Sequence, residues 1–168
     1  ISKSKNTGQL YQALNLLNTP FLTDDAIKDA IFCEAASGIS ILSVSHDGAN
    51  GVYTTNLKAL LTFLTGNYHY IVVDLPALMD LTIFEALNQS DLIHIITDCQ
   101  TDNLEKTKAL LSELFQKVNY PQDKIKVITN TAKETTCVAN EKIARYLNYK
   151  IYAGLPLFEE AQDKEKIT

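Results

Sequence analysis

The sequence predicts an α/β domain: a mostly parallel, doubly wound sheet with helices on both faces, in three layers. Three observations predict it. Short apolar runs rich in β-branched residues recur at 39–44, 70–73, 92–97, 125–129 and 150–153. They are continuous rather than alternating, the mark of strands buried on both faces. Segments with helical spacing separate them, as βαβ units with right-handed crossovers require. Finally, 168 residues that are 46% apolar suffice for one core and are cramped for two, so residues 1–168 are expected to form a single domain.

Each element has its own signal. Residues 8–36 read as two short helices separated by Thr19-Pro20, with Thr23 as N-cap of the second. After the first apolar run, Leu57, Leu60, Leu61 and Leu64 fall on one helical stripe. The run 70–73 follows, and Asp80 then precedes an apolar helical turn at 81–87. Beyond the run 92–97, Asp102 with Glu105 three residues later resembles a capping pair. The helix it opens carries a stripe of Leu104, Leu111, Leu114, Phe115 and Val118, and Tyr120-Pro121 closes it before the next strand. A last stripe, Ala139, Ile143, Tyr146 and Leu147, leads into the run 150–153. The polar tail from Glu159 is either frayed or the start of a surface helix.

Composition excludes several function classes. The chain carries 20 acidic against 15 basic residues, and no stretch collects a basic stripe, which disfavours direct binding to nucleic acid. No apolar run approaches the roughly 18 residues of a membrane span, and the N-terminus lacks a signal-peptide core. The expectation is a cytoplasmic protein. Cys33, Cys99 and Cys137 are scattered and odd in number, as are His46, His69 and His94, so neither a structural zinc nor a disulfide framework is expected.

In open α/β sheets, ligands bind beyond the carboxyl ends of the strands. Four such positions stand out: Asp74-Leu75-Pro76, Thr97-Asp98, Thr129-Asn130 and Gly154-Leu155-Pro156. The run ending at Asp74 has the form of a Walker B segment, whose carboxylate holds a magnesium-bound water beside a nucleotide phosphate. Asn130 ends its own run with a carboxamide that can both donate to and accept from a base edge; the bland alternative is a loop cap. Asp80 and Asp98 read as cap or turn residues, and Pro76 and Pro156 as residues that shape loops. No phosphate cradle accompanies them. The six glycines never form GxxxxGK[ST] or GxGxxG, and the nearest glycine-bearing loop, Asp47-Gly48-Ala49-Asn50-Gly51, has no Lys or Ser in register and reads as a turn.

Taken together, Tyr68-His-Tyr-Ile-Val-Val-Asp-Leu-Pro76, the strand ending at Asn130 and Tyr152-Ala-Gly-Leu-Pro156 resemble the MinD/ParA ATPases, which carry a deviant Walker A motif. Within that group the chain is most similar to the CpaE/TadZ pilus-assembly branch, where a "YDYVIVDLP" segment is followed by "DLT", here Asp80-Leu-Thr82. Gly8-Gln-Leu-Tyr-Gln-Ala-Leu-Asn-Leu16 and Gly38-Ile-Ser-Ile-Leu-Ser43 also resemble segments of that branch. The resemblance implies a P-loop NTPase-like fold with ATP and magnesium as cofactors. It implies Asp74 as catalytic carboxylate, reaching the metal through water, and Leu75 and Pro76 as the start of the second switch. Asn130 would be a base contact, flanked by the loop at Leu155 and Pro156.

In that family the first strand, the Walker A loop with its lysines, a helix and a second strand precede the point where this chain begins. The resemblance therefore implies that the chain is the larger, C-terminal part of such a domain, and that without the loop it binds ATP weakly and does not hydrolyse it. The implied function is a nucleotide-dependent dimerisation switch, a homodimer that helps to place a pilus or secretion machine and is recruited through protein partners to the inner membrane face or cell pole. The alternatives are a catalytically inactive ATPase-like scaffold or localisation module, and a receiver- or flavodoxin-like domain. A receiver, however, needs an acidic pair near its first strand and a Lys ending its fifth, whereas Lys150 begins a run.

Overall fold

The computed structural model describes residues 15–44, 51–77, 80–117, 119–130 and 139–155, distributed over two compact units, Ile1–Ser90 and Asp91–Thr168. The expectations for residues 8–14 and 47–50, for His46, Val118, Cys137 and Pro156, and for the tail from Glu159 lie outside the described residues.

In the first unit a 3-10 turn at Leu16–Asn18 precedes helix α1, Asp24–Ala30. Thr23 caps α1 as expected, its Oγ1 accepting from Ala26 N at 3.2 Å, and Asp24 and Asp25 complement the helix dipole in the first turn. Strands β1, Phe32–Cys33, and β2, Ser40–Ile41, form a short antiparallel pair. Glu34 shapes its loop: Oε2 accepts from Ser37 N at 2.7 Å and Ser37 Oγ at 2.6 Å, and Oε1 from Ala36 N at 3.1 Å. Those bonds, the Ser37 hydroxyl first, lower the Glu34 pKa. Gly38 takes φ +71°, the left-handed conformation that an L side chain resists.

Helix α2, Gly51–Asn67, buries Leu57, Leu60 and Leu61 against Leu16, Leu17, Ile27, Ala30 and Ala86, with Leu64 packed beside them. The predicted leucine stripe is thus the centre of this unit's core. Asn56 on the same helix is buried and donates through Nδ2 to Leu17 O at 3.0 Å and Thr19 O at 2.8 Å, which ties the 3-10 turn to α2. Helix α3, Leu81–Asn88, begins where Asp80 predicts: Oδ1 accepts from Thr82 N and Ile83 N, each at 2.9 Å. Lys58 and Glu85 link α2 to α3 at 3.3 Å.

Two strand expectations fail in this unit. Of the run 39–44 only Ser40–Ile41 is a strand, antiparallel and exposed rather than buried in a parallel sheet. The run 70–73 joins no ladder, and Tyr70 and Val72 are 93% and 95% exposed. β-branched composition marks a chain that fits a pleated sheet, but a strand exists only where another backbone takes up its hydrogen bonds, and none of the described residues does so here.

The second unit holds a three-stranded parallel sheet in the order β3-β4-β5, with β3 Ile93–Thr97, β4 Ile125–Asn130 and β5 Ile151–Leu155. Helix α4, Thr101–Ser112, and helix α5, Asn140–Leu147, make the crossovers, α4 packing on β3, α5 on β5, and each on the other. The molecule is therefore α/β, with a parallel sheet flanked by helices. Ile93, Ile95, Thr97, Ile125, Val127 and Thr129 form the buried face, together with Leu111 and Leu114 from the α4 segment and Ile143 and Leu147 from α5. β3 alternates instead of being buried on both faces, since Ile96 is 61% exposed and His94 is exposed beside it. On that open face His94 stacks on Tyr152 at 6.5 Å, and Lys126 Nζ sits 5.7 Å from the Tyr152 ring.

The ends of α4 and α5 show what spacing conveys and what it omits. Asp102 does not cap α4: the N-cap is Gln100, and the side chain that organises the turn is Asp98. After Ser112 the chain widens into a π turn at Glu113–Lys117. It closes with Tyr120 N donating to Leu114 O at 2.9 Å past Asn119, whose φ of 53° is left-handed, just before Pro121. Asn148, at φ 52°, ends α5 in the same left-handed way. Tyr146 from the predicted stripe lies at the surface with Lys108 Nζ 4.6 Å from its ring. Tyr149 stacks on Phe115 at 5.4 Å, and its hydroxyl reaches Gln122 O at 2.7 Å and Ile125 O at 3.0 Å. Cys99, just past β3, is disulfide-bonded, against the expectation of no disulfide, whereas Cys33 is free and exposed.

Three outcomes follow from these contacts. Asn56→Ala removes the donor to two carbonyls and should lower unfolding free energy by about 1–3 kcal/mol in urea titration. Burial, and after it the Asp123 charge, raise the Tyr149 pKa. The protonated hydroxyl's contribution is therefore complete below the unfolded value of about 10 and lost as pH rises through the higher folded value. Tyr149→Phe should cost about 1 kcal/mol at neutral pH and flatten the fall in stability in alkali. Iodoacetamide without reductant should modify Cys33 and spare Cys99, with Cys99 becoming reactive after reduction, as read by peptide mass mapping.

Candidate functional site

The carboxyl edge of the β3-β4-β5 sheet is where the second unit gathers polar side chains. Register places Thr97 beside Thr129, and Thr129 beside Gly154, so these three share one rung across all three strands. The next rung pairs Asn130 with Leu155. Both threonines are buried, Thr129 at 0% exposure, although their strands are otherwise apolar on this face. A buried hydroxyl is costly unless bonded, and each is bonded. Thr97 Oγ1 lies 3.3 Å from Asp98 O, and Thr129 Oγ1 donates to Asn140 Oδ1 at 2.9 Å and sits 3.4 Å from Ala153 O.

Asp98 is a turn residue, as the sequence suggests. Its Oδ1 accepts from Gln100 N at 3.0 Å, and its two oxygens lie 3.0 and 2.8 Å from Asn103 Nδ2, so the carboxylate is engaged in holding the first turn of α4. Asn103 O in turn accepts from Thr107 Oγ1 at 2.8 Å.

Asn140 opens α5, and its carboxamide lies over Gly154. A Cβ on Gly154 would come 3.1 Å from Asn140 Nδ2 and 3.2 Å from Thr129 Oγ1, closer than ordinary van der Waals contact. Glycine suits that position through close approach, with no positive φ involved: a Cβ would push the Asn140 carboxamide or the Thr129 hydroxyl by a few tenths of an ångström.

The predicted site residues divide between the units. In the second, Asn130 and Leu155 are brought side by side at the carboxyl edge, Asn130 half-buried and Leu155 exposed. In the first, Asp74 is exposed at the end of the apolar run, Leu75 packs half-buried on the core cluster, and Pro76 is exposed. Thr129 stands out in the sequence only beside Asn130, with no role of its own, Asn140 is not singled out there, and the close approach at Gly154 has no sequence-based reason. Their signals are a Thr-Asx pair ending two separate apolar runs, an Asn opening a helical stripe, and a glycine inside a strand.

Among the described residues no group of three His, Cys, Asp or Glu side chains could hold a metal ion. Magnesium is commonly held by one or two carboxylates, waters and substrate phosphates, so a lone carboxylate such as Asp74 fits that ion only in the presence of a nucleotide. In the second unit Asn130 offers a carboxamide that can donate and accept beside the apolar Leu155, and in the first unit Asp74 offers an exposed carboxylate. A glycine-rich phosphate cradle is not in the sequence, so the residues present do not fit the phosphates of ATP, and no hydrolytic step is derived for this chain.

Neither a protein-family model nor a curated protein matches the sequence. Among solved structures the chain is similar to the crystal structure of a ParA family ATPase from Chlorobium tepidum TLS, with a TM-score of 0.64 at 18% identity. The match covers 92% of this chain and 62% of that one. At this identity the likeness shows the fold, so the chain has a ParA-like α/β fold and spans less than two thirds of the ATPase it matches.

Proposed function

We propose that this chain is part of a MinD/ParA-like ATPase of the CpaE/TadZ type, a nucleotide-dependent dimerisation switch that positions a pilus or secretion assembly machine. The observation that carries the proposal is the likeness in fold to a ParA family ATPase across 92% of the chain. Residues 1–168 would then be the larger part of one ATPase domain. Asp74, at the end of its apolar run, would orient a magnesium-bound water; Leu75 and Pro76 would open the second switch; Asn130 would read the base edge, flanked by Leu155 and Pro156. ATP and magnesium would be the cofactors, the active species a homodimer, and the site of action the cytoplasm, with recruitment to the inner membrane face or cell pole through partners.

A second reading, a catalytically inactive ATPase-like scaffold or localisation module, is favoured by one observation: no glycine-rich lysine loop occurs in the 168 residues. ATP turnover by the natural protein that contains this segment separates the two. Under the switch reading, Asp74→Ala lowers turnover at least tenfold, about 1.4 kcal/mol in the barrier, and the 168-residue chain alone is inactive. Nucleotide binding and turnover unchanged by Asp74→Ala would sink the assignment, and a natural protein with neither would favour the scaffold.

A further inference from the structure

We infer that Thr129 is a positioning residue for the base edge, acting through a latch that it forms with Asn140 against Gly154. The inference rests on the reading of Asn130 as a base contact and adds what holds that contact in place.

Three observations carry it. Ile125, Val127 and Thr129 share the buried face of β4, and only the last is polar; at 0% exposure its hydroxyl is not there for solvent. That hydroxyl joins three elements, donating from β4 to Asn140 Oδ1 at the start of α5 and lying 3.4 Å from Ala153 O on β5. Gly154 then leaves room for the Asn140 carboxamide and the Thr129 hydroxyl, which a Cβ would meet at 3.1 and 3.2 Å.

Asn130 and Leu155 are each the residue directly after a member of this latch, and they are register partners of each other. With the Thr129 side chain and the Gly154 backbone both fixed, the peptides leading into Asn130 and Leu155 have one arrangement. A base contact made by a carboxamide depends on placement to within tenths of an ångström. Loosening the latch would leave the contact residues present and misplaced.

The probe is adenosine, which carries the base and no phosphate and so makes no demand on a phosphate cradle. Titrated into the isotope-labelled 168-residue chain, it should shift the backbone amides of residues 130 and 155. Thr129→Val, which keeps the shape and removes the hydroxyl, should weaken adenosine binding about fivefold or more, and Thr129→Ser, which keeps the hydroxyl, should stay within about twofold of wild type. Asn140→Ala removes the acceptor from an exposed position and should match Thr129→Val, so the test survives if the valine variant fails to fold. Thermal unfolding of each variant separates loss of fold from loss of placement.

Wild-type affinity in Thr129→Val and Asn140→Ala would overturn the latch and leave the base contact standing. So would a loss in Thr129→Ser as large as in Thr129→Val, because the methyl group rather than the hydroxyl would then matter. Absence of any adenosine-dependent shift at residues 130 and 155 in the wild type would overturn both the base contact and the latch.

Discussion

The parallel pairing of β4 with β3 on one side and β5 on the other is the constraint on which the second unit depends. Parallel neighbours cannot be joined by a tight turn, so each pairing demands a crossover, and α4 and α5 are those crossovers. Being central, β4 buries Val127 and Thr129 completely. Its two registers differ. Against β3 the pairing runs without interruption from Ile93↔Ile125 to Thr97↔Thr129, whereas against β5 it shifts between Val127 and Ile128. Without that shift, the pairing Val127↔Ile151 would continue to Thr129↔Ala153. With it, Thr129 faces Gly154, the residue that can tolerate the Asn140 carboxamide above it. A one-residue irregularity thus decides which side chains meet at the carboxyl edge.

How much of this can be read from the sequence depends on whether the signal is local. The runs at 92–97, 125–129 and 150–153 lie within two residues of β3, β4 and β5, because an apolar strand between helical stripes carries its own pattern. The leucine stripe of α2 and the caps Thr23 and Asp80 are legible for the same reason, each being set by residues three or four apart. Asp102 and Glu105 have the spacing of a cap without its geometry. Asp98, four residues before Asp102, had already taken the Gln100 amide and the Asn103 side chain, and the helix starts where that turn allows. The register shift on β5 and the Thr129–Asn140 bond are set by the packing of strand on strand and helix on strand, which local spacing does not encode.

The run 70–73 shows the converse. It has every local mark of a central strand, yet Tyr70 and Val72 stand almost fully exposed beside no ladder. Strand propensity is a statement about fitting a half-buried pleated surface, and its free energy is realised only against neighbouring strands. Leu75, two residues beyond the run, does find its place, packed on the core that α2 organises. The first unit therefore positions the segment after Asp74 by side-chain burial, whereas the second positions Asn130 by backbone register. Only the register argument specifies a residue's direction as well as its location.

That asymmetry bears on what a nucleotide could do here. A contact to the base is common to ATP and ADP, and a ligand group bound equally in two states shifts no equilibrium between them, however tight the contact. A base contact at Asn130 and Leu155 of the kind proposed would thus confer affinity and choice of base, but would not by itself drive a switch. Discrimination must come from groups that sense the terminal phosphate: backbone amides of a glycine-rich loop, its lysine, and a carboxylate that organises the metal's water shell. Of those groups the 168 residues contain a candidate for the last, Asp74, on a segment positioned by the packing of one neighbour, Leu75. A switch of the proposed kind therefore depends on whatever orders Asp74 against a phosphate. The scaffold reading needs no such ordering, and for this reason the two readings part at Asp74 rather than at the better-defined edge of the parallel sheet.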